Sequence, residues 1–181
     1  MSDPTVYFGM LMTIKSIVVY LILILFLIDL SRADTYNKIA RVIKILLFPL
    51  LFVFNIHYKK VNVGLLFAAL LINFVSFYIM LPSYDLGTIF NFSIFQTTKI
   101  LIGLLKFVVI AGVVLSWFYA FGLNFYNSAT SPIQEVYETT VSIFRNITPP
   151  TAGFDLSPLI AFFAFQLAER ILEILMFEYM S

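Results

Sequence analysis

Four long apolar segments dominate the chain. A helix that crosses a bilayer needs about 20 mostly apolar residues, and the segments of this kind are residues 6–30, 61–81, 98–123 and 157–176. Residues 82–97 are expected to form a short linker between the second and third segments. The pattern predicts an all-α membrane protein with four transmembrane helices.

An amphipathic segment follows the first apolar segment, at residues 36–48. Its apolar side chains recur with helical spacing, and its basic side chains occupy the opposite side of the helix. The basic residues are Lys38, Arg41 and Lys44. A basic amphipathic helix of this length is suited to lying on the membrane surface.

A second amphipathic segment follows the third apolar segment, at residues 132–145. Ser131 and Gln134 have the spacing of a capping box, and Pro132 falls where the first helical residue is expected. The polar side of this helix carries Glu135 and Glu138 and is therefore acidic rather than basic.

The order of elements occurs twice: a span, a surface helix and a second span. A shift of 94 residues superposes the two occurrences, so that Ile39 matches Ile133 and Val42 matches Val136. Because each repeat crosses the membrane twice, both repeats start on the same side, which predicts parallel repeats. The single membrane domain, residues 1–181, is then divided into repeat 1 (1–81) and repeat 2 (98–181).

The composition supports a lipid environment. The chain of 181 residues is 61% hydrophobic and 12% charged, whereas soluble proteins are about 45–50% apolar and about 25% charged. The net charge of +1 gives no reason to expect nucleic acid as a partner, and the absence of cysteine excludes disulfides and thiolate metal sites. We expect the lipid bilayer and another membrane protein, or a second copy of this chain, as partners.

The distribution of Lys and Arg predicts the orientation. Basic residues concentrate between the first two spans: Arg32, Lys38, Arg41, Lys44, Lys59 and Lys60. The positive-inside rule assigns residues 31–60, and with them residues 124–156, to the cytoplasm and both termini to the outside. The N-terminal residues "MSDPT" lack the basic region of a cleavable signal peptide, so the first apolar segment is expected to remain as a span.

Several stretches resemble the YggT/YlmG family of integral membrane proteins. In "ADTYNKIARVIKILLFP", Asp34 and Asn37 open a helix that closes on Pro49, which resembles the segment after the first span in that family. "SPIQEV" is similar to the matching element of the second repeat, and "PPTAGFDLSPLIA" resembles the most specific motif of the family. The chain departs from the family where an "LRPxRR"-like basic stretch is usual, because only Arg145 remains there in the second half.

The resemblance implies a bacterial-type inner (plasma) membrane protein without an agreed enzymatic chemistry. Members of the family are linked to cell division and envelope organisation, to osmotic stress, and to the assembly of membrane complexes. The leading prediction is accordingly a non-enzymatic membrane scaffold or assembly factor. The alternative is a small oligomeric ion channel or transporter connected with osmotic or cation balance.

Charged residues within the predicted spans are the candidate functional residues. A charge at the bilayer centre costs about 2.5–3.5 kcal/mol on insertion scales, so such residues favour a functional interpretation. The charged residues are Lys15, Lys106, Glu169, Arg170 and Glu173. One hypothesis is an intramembrane cluster in which Lys15 or Lys106 faces Glu169 and which lines a polar cavity or binds a partner. The alternative is that the long side chains extend to the headgroups.

The motif before the last apolar segment is interpreted as structural. Pro149 and Pro150 end the surface helix, and Gly153 turns the chain. Asp155 or Ser157 caps the last span, and Pro158 suits its first turn. His57 is the sole histidine, so a histidine metal site is not expected, and no catalytic or cofactor-binding motif is recognised.

Overall fold

A computed structural model of the chain describes residues 4–31, 37–59, 61–123, 127, 130–146 and 155–180. Within these residues the chain forms seven helices and one two-stranded hairpin. The helices are α1 (Pro4–Leu30), α2 (Lys38–Leu46), α3 (Phe48–Val53), α4 (Gly64–Met80), α5 (Leu86–Ala120), α6 (Ser131–Arg145) and α7 (Ser157–Met180). The strands are β1 (His57–Tyr58) and β2 (Val61–Asn62). The prediction of a predominantly helical protein is confirmed.

Two helices in the described part of the chain are long and apolar enough to cross a bilayer. These stretches are Tyr7–Leu30 and Leu86–Ala120, and only 39% and 22% of their most apolar parts are buried. A core helix of a soluble protein would be largely buried, whereas these helices present apolar side chains outward. Gly64–Met80 is apolar but shorter, and α7 carries charged residues near its middle. The described part of the chain therefore contains two candidate membrane spans.

The prediction that residues 82–97 form a linker is wrong, because most of this segment belongs to α5. α5 starts at Leu86 because Asp85 caps it: the Asp85 carboxylate accepts hydrogen bonds from the Thr88 backbone N–H at 3.0 Å and from its hydroxyl at 2.6 Å. Polar residues then continue inside the helix because Ser93 and Thr97 donate their hydroxyls to carbonyls four residues earlier, at 2.7 Å each. α5 has 35 residues and is about 50 Å long at about 1.5 Å per residue.

The second apolar segment also begins later than predicted. β1 and β2 pair in an antiparallel manner, with His57 opposite Asn62 and Tyr58 opposite Val61. The backbone reverses at Lys59, whose φ is 55°. α4 begins at Gly64, where a Cβ would overlap the carbonyl of Phe54. The prediction of purely α-helical structure missed this turn because a two-residue strand carries no periodic signal.

Pro49 was predicted to close the first surface helix. It lies instead at the start of a separate short helix, α3. α2 ends at Leu46, and Pro49 falls at one of the first two positions of α3. Proline is tolerated there because the first N–H groups of a helix have no partner within that helix.

α5 is the central helix of the bundle. It packs against α4 and α6 and, most extensively, against α7, while α1 packs mainly against α4. The buried core lies where α1 meets α2, α4, α5 and α6. At Gly112 of α5 the Tyr137 ring of α6 approaches so closely that a Cβ would overlap it.

The capping box predicted at Ser131 does not form. The N-cap of α6 is Thr130, and the Gln134 N–H donates to the Thr130 carbonyl rather than to the Ser131 hydroxyl. The Ser131 hydroxyl instead accepts a hydrogen bond of 2.9 Å from the amide of Asn37. Asn37 is itself the N-cap of α2, with its side-chain oxygen bound to the Ile39 N–H. The first turns of the two surface helices are thus joined at buried side chains.

Candidate functional site

The least exposed ion pair of the described residues joins α5 to α7. The Lys106 ammonium contacts the Glu169 carboxylate, with each side chain 19% exposed, and donates a hydrogen bond of 2.8 Å to the side-chain oxygen of Gln166. It also lies 5.9 Å from the ring centroid of Phe162. Gln166 and Glu169 are three residues apart and therefore share one face of α7. Of the two lysines predicted to face Glu169, Lys106 is the one that the structure places there.

A second, more exposed ion pair joins the same two helices. Lys99 lies 2.8 Å from one carboxylate oxygen of Glu173, and the Arg170 guanidinium lies 3.0 Å from the other. Lys99 precedes Lys106 by seven residues, about 10 Å along the helix, while Glu173 follows Glu169 on α7. From Lys99 to Lys106 the residue numbers on α5 increase, while those of their partners on α7 decrease from Glu173 to Glu169. The two helices are therefore antiparallel. Charged side chains thus connect the two helices at two levels.

Lys15 does not belong to this cluster. Its ammonium donates a hydrogen bond of 3.1 Å to the side-chain oxygen of Asn73 on α4 and lies 5.7 Å from the ring centroid of Phe77. Asn73 is fully buried and donates to the hydroxyl of Thr97 on α5 at 3.0 Å. Among the described side chains, no carboxylate forms an ion pair with Lys15. A chain of hydrogen bonds made by one cation, one amide and one hydroxyl therefore connects α1, α4 and α5.

These contacts show what the arrangement can do. A polar group placed among apolar helices is costly unless it finds a partner. Lys15, Asn73, Lys99 and Lys106 each find a partner on a neighbouring helix. The contacts consequently fix which helices are neighbours and at what height. Within the described residues, no group of three or more His, Asp or Glu side chains could hold a metal ion.

A third cluster lies at the corner between α6 and α7. The Arg145 guanidinium donates a hydrogen bond of 3.0 Å to Asp155 and one of 2.8 Å to Glu138. Asp155 also accepts a bond of 2.9 Å from the backbone N–H of Ser157, so Asp155 caps α7. Ser157 and Pro158 are the first two residues of that helix.

The charges at this corner influence one another. Hydrogen bonding to Ser157, and after it the contact with Arg145, lowers the pKa of Asp155 below its usual value. The hydrogen bonds that the Arg145 guanidinium donates to Glu138 and to Asp155 raise the pKa of Arg145. Burial raises the pKa of the Tyr137 hydroxyl. The corner is therefore fixed in its charged form near neutral pH. The predicted motif residues Pro149, Pro150 and Gly153 lie outside the described residues.

The basic residues predicted on the first surface helix lie where α2 is accessible. Lys38 and Arg41 are exposed and Lys44 is partly exposed. Lys59 is exposed at the tip of the hairpin, beside the Tyr58 ring. Arg32, Asp34 and Lys60 lie outside the described residues.

Lys99 is the charged residue that sequence reasoning left out of the cluster. Its signal was the spacing of seven residues from Lys106, which places both on one face of a helix. Thr97 was also missed, because it was assigned to a linker.

Comparisons with known proteins found one matching family and a relative from Pseudomonas aeruginosa. The model of the CCB3/YggT family matches residues 91–176, which reach from α5 into α7. The chain is 30% identical over 171 residues to the Uncharacterized protein PA0392 of Pseudomonas aeruginosa, covering 89% of this chain and 85% of that protein. No solved structure matches the chain.

Proposed function

The chain belongs to the CCB3/YggT family, and from this premise we propose that it is a non-enzymatic scaffold or assembly factor of a bacterial-type inner (plasma) membrane. In this role its helices would organise other membrane proteins in cell division, in the envelope, or in the assembly of a membrane complex. The partner would be another membrane protein or a second copy of this chain.

The observation that carries the proposal is the ion pairing between α5 and α7. Lys106 pairs with Glu169, and Lys99 and Arg170 share the carboxylate of Glu173. Charges that line a transport path must remain available to the transported species, whereas these charges bind neighbouring helices together. Such pairing supports a bundle whose role is to hold a shape.

The proposed arrangement has four spans in two parallel repeats. The spans are α1, α4, α5 and α7, and the surface helices are α2 and α6. The 94-residue shift supports this arrangement because it moves Lys38, the start of α2, to 132, beside the start of α6 at Ser131. It likewise moves Gly64 of α4 to 158, beside Ser157 of α7. With the basic residues of α2 on the cytoplasmic side, residues 31–60 and 124–156 are cytoplasmic and both termini are outside.

A small oligomeric ion channel or transporter is the second candidate, and Lys15 favours it. Its ammonium is paired with an amide instead of a carboxylate, so it carries a net charge that could attract an anion. The polar chain through Asn73 and Thr97 extends from it across two further helices.

The test separates the two candidates with one preparation. The protein is purified from its native membrane in a mild detergent, and its mass and the stoichiometry of any co-purifying protein are measured. The same protein, alone, is then reconstituted in liposomes and assayed for K⁺, Na⁺ and Cl⁻ flux. A stoichiometric partner together with the absence of flux supports the scaffold. A homo-oligomer whose flux is changed by Lys15→Met overturns it.

A further inference from the structure

We propose that the outward surface of α2 and α3 binds the anionic headgroups of the bilayer leaflet that it faces. This α2–α3 surface consists of the basic residues Lys38, Arg41 and Lys44 and the exposed apolar residues Val42, Ile45, Leu46, Phe48, Phe52 and Val53. The inference does not depend on the scaffold role, because it concerns lipid selectivity and not a protein partner.

The side chains of α2 divide into three faces. At about 100° per residue, Ala40, Ile43 and Leu47 share the face that is buried in the core. The apolar residues of the α2–α3 surface point away from the core, and Arg41 and Lys44 lie together on the flank between these two faces. A helix that lies at a lipid–water boundary needs this division: one face on the protein, one in acyl chains and a cationic flank at the headgroups.

The outward apolar face of α2 and α3 is so exposed within the protein that contact with water would be unfavourable for it. Ile45 is 67% exposed, and Phe52 on α3 is 81% exposed. The exposed apolar side chains follow one another along the chain from α2 into α3. A contiguous apolar patch rimmed by polar groups marks a membrane or protein contact.

The positive charge of the α2–α3 surface indicates that anionic lipid binds there. In the part of the chain that the structure describes, no carboxylate forms an ion pair with Lys38, Arg41 or Lys44. These cations therefore remain available, whereas Arg145 on α6 is held by two carboxylates. A cluster of available cations beside an apolar face is complementary to a leaflet that contains anionic lipid.

The second surface helix lacks these properties and provides an internal control. The 94-residue shift places Glu135 at the position of Arg41 and Glu138 at that of Lys44. The exposed positions of α6 that correspond to Ile45 and Phe48 are Thr139 and Ser142. An anionic lipid preference should consequently belong to α2 and not to α6.

The experiment uses the absence of cysteine in the chain. Phe52→Cys introduces a single labelling site on the surface, and a bimane label there reports its lipid neighbours. The full-length protein is reconstituted in liposomes that contain brominated phosphatidylglycerol or brominated phosphatidylcholine with identical acyl chains. Each basic residue near an anionic surface favours the anionic lipid by about fivefold, so we expect phosphatidylglycerol to be preferred at least about fivefold.

Matched variants test the assignment. Arg41→Gln with Lys44→Gln should abolish the preference, and Arg41→Lys with Lys44→Arg should retain it. Thr139→Glu with Ser142→Glu lowers the net charge by the same two units on α6 and should also retain it. For the unsubstituted reporter protein, 0.5 M salt should reduce the preference because salt screens exposed charges, and this measurement does not depend on the folding of a charge variant.

Three results would overturn the proposal. The first is equal quenching by both lipids in the reporter protein. The second is a preference that survives Arg41→Gln with Lys44→Gln. The third is weak quenching by both lipids, which would show that the surface is covered by protein.

Discussion

In the first half of the chain, Lys15 of α1 binds the amide of Asn73 on α4, whereas in the second half Lys106 of α5 binds the carboxylate of Glu169 on α7. Each contact joins two helices of the same half: α1 with α4 in the first half, and α5 with α7 in the second. The first leaves a net positive charge among apolar helices, and the second leaves none. Breaking the first contact leaves a buried amide oxygen without its donor. Breaking the second contact from one side leaves an unpaired charge, which is the costlier result.

The surface helices of the two halves differ in the same direction. α6 is held by Gly112 and Tyr137 and by the ion pairs of Arg145. α2 buries one narrow face and leaves its cations and a broad apolar face accessible. The family model also covers only the second of these halves. The comparison shows that α6 is held by close packing and ion pairs, whereas the cations and the broad apolar face of α2 remain accessible.

The largest expected effect comes from breaking one lysine contact in each half. Lys106→Met leaves Glu169 unpaired between α5 and α7 and should lower the free energy of unfolding by about 2–4 kcal/mol. Lys15→Met removes a charge that has no carboxylate partner but leaves the buried side-chain oxygen of Asn73 without its donor. It should therefore lower the free energy of unfolding by a smaller amount, about 1–2 kcal/mol. Reversible unfolding in mixed micelles, followed by circular dichroism, measures both.

The double variant Lys106→Met with Glu169→Met is the control, because it removes both charges together. It should regain most of the lost stability. Equal losses for Lys106→Met and Lys15→Met would contradict the distinction between the halves.

The close packing of α6 provides the second prediction. Gly112→Ala should cost about 1–3 kcal/mol, because the added Cβ overlaps the Tyr137 ring and the interior must shift. The same change at Gly103 on the same helix meets no atom within 4 Å and should be neutral or stabilising by up to about 1 kcal/mol. Thermal unfolding in detergent compares the two variants, and a Gly112→Ala protein as stable as Gly103→Ala would refute close packing here.

The hydrogen bond between Asn37 of α2 and Ser131 of α6 provides the third prediction. Asn37→Ala removes the cap of α2 and the bond to Ser131, so we expect a loss of about 1–2 kcal/mol. Ser131→Ala removes only the bond and should cost about 0.5–1.5 kcal/mol. The double variant should show a coupling of about 0.5 kcal/mol or more. Strictly additive losses would show that the two side chains do not act on each other.

The smallest effect is a pH dependence confined to the second half. The pKa of Asp155 is lower in the folded protein than its usual value. A carboxylate of this kind stabilises fully above its unfolded pKa, near 3.8, and the stabilisation is lost as the pH falls through the folded pKa. Asp155→Asn should therefore have a lower apparent melting temperature than the natural chain at pH 6, and the difference should shrink below about pH 4. A constant difference from pH 6 to pH 3 would exclude Asp155 as its source.

Much of the helical fold could be predicted from apolar segments and helical spacing. α1, α2 and α6 lie near the positions predicted for the first span and the two surface helices, because long runs of one period carry a strong signal. The start of α5 could not be predicted in this way, because Ser93 and Thr97 resemble linker residues until their hydroxyls find carbonyls within the helix.

The polar contacts were harder to predict than the helices. The spacing of Gln166, Glu169 and Glu173 showed that they share a face of α7, but not which lysine faces them. That choice depends on which helices are neighbours, and α5 rather than α1 packs against α7. In the same way, Ser131 has the sequence of a capping residue, but its hydroxyl is taken by Asn37, which is distant in the sequence.

The bond between Asn37 and Ser131 has a consequence for the ancestry of the protein. The two residues are separated by 94 positions, so under the proposed repeat they are the same position occurring twice. Equivalent positions can touch only beside the axis that relates the two repeats. In a half-length ancestor this contact would have joined a residue to its own copy across a homodimer.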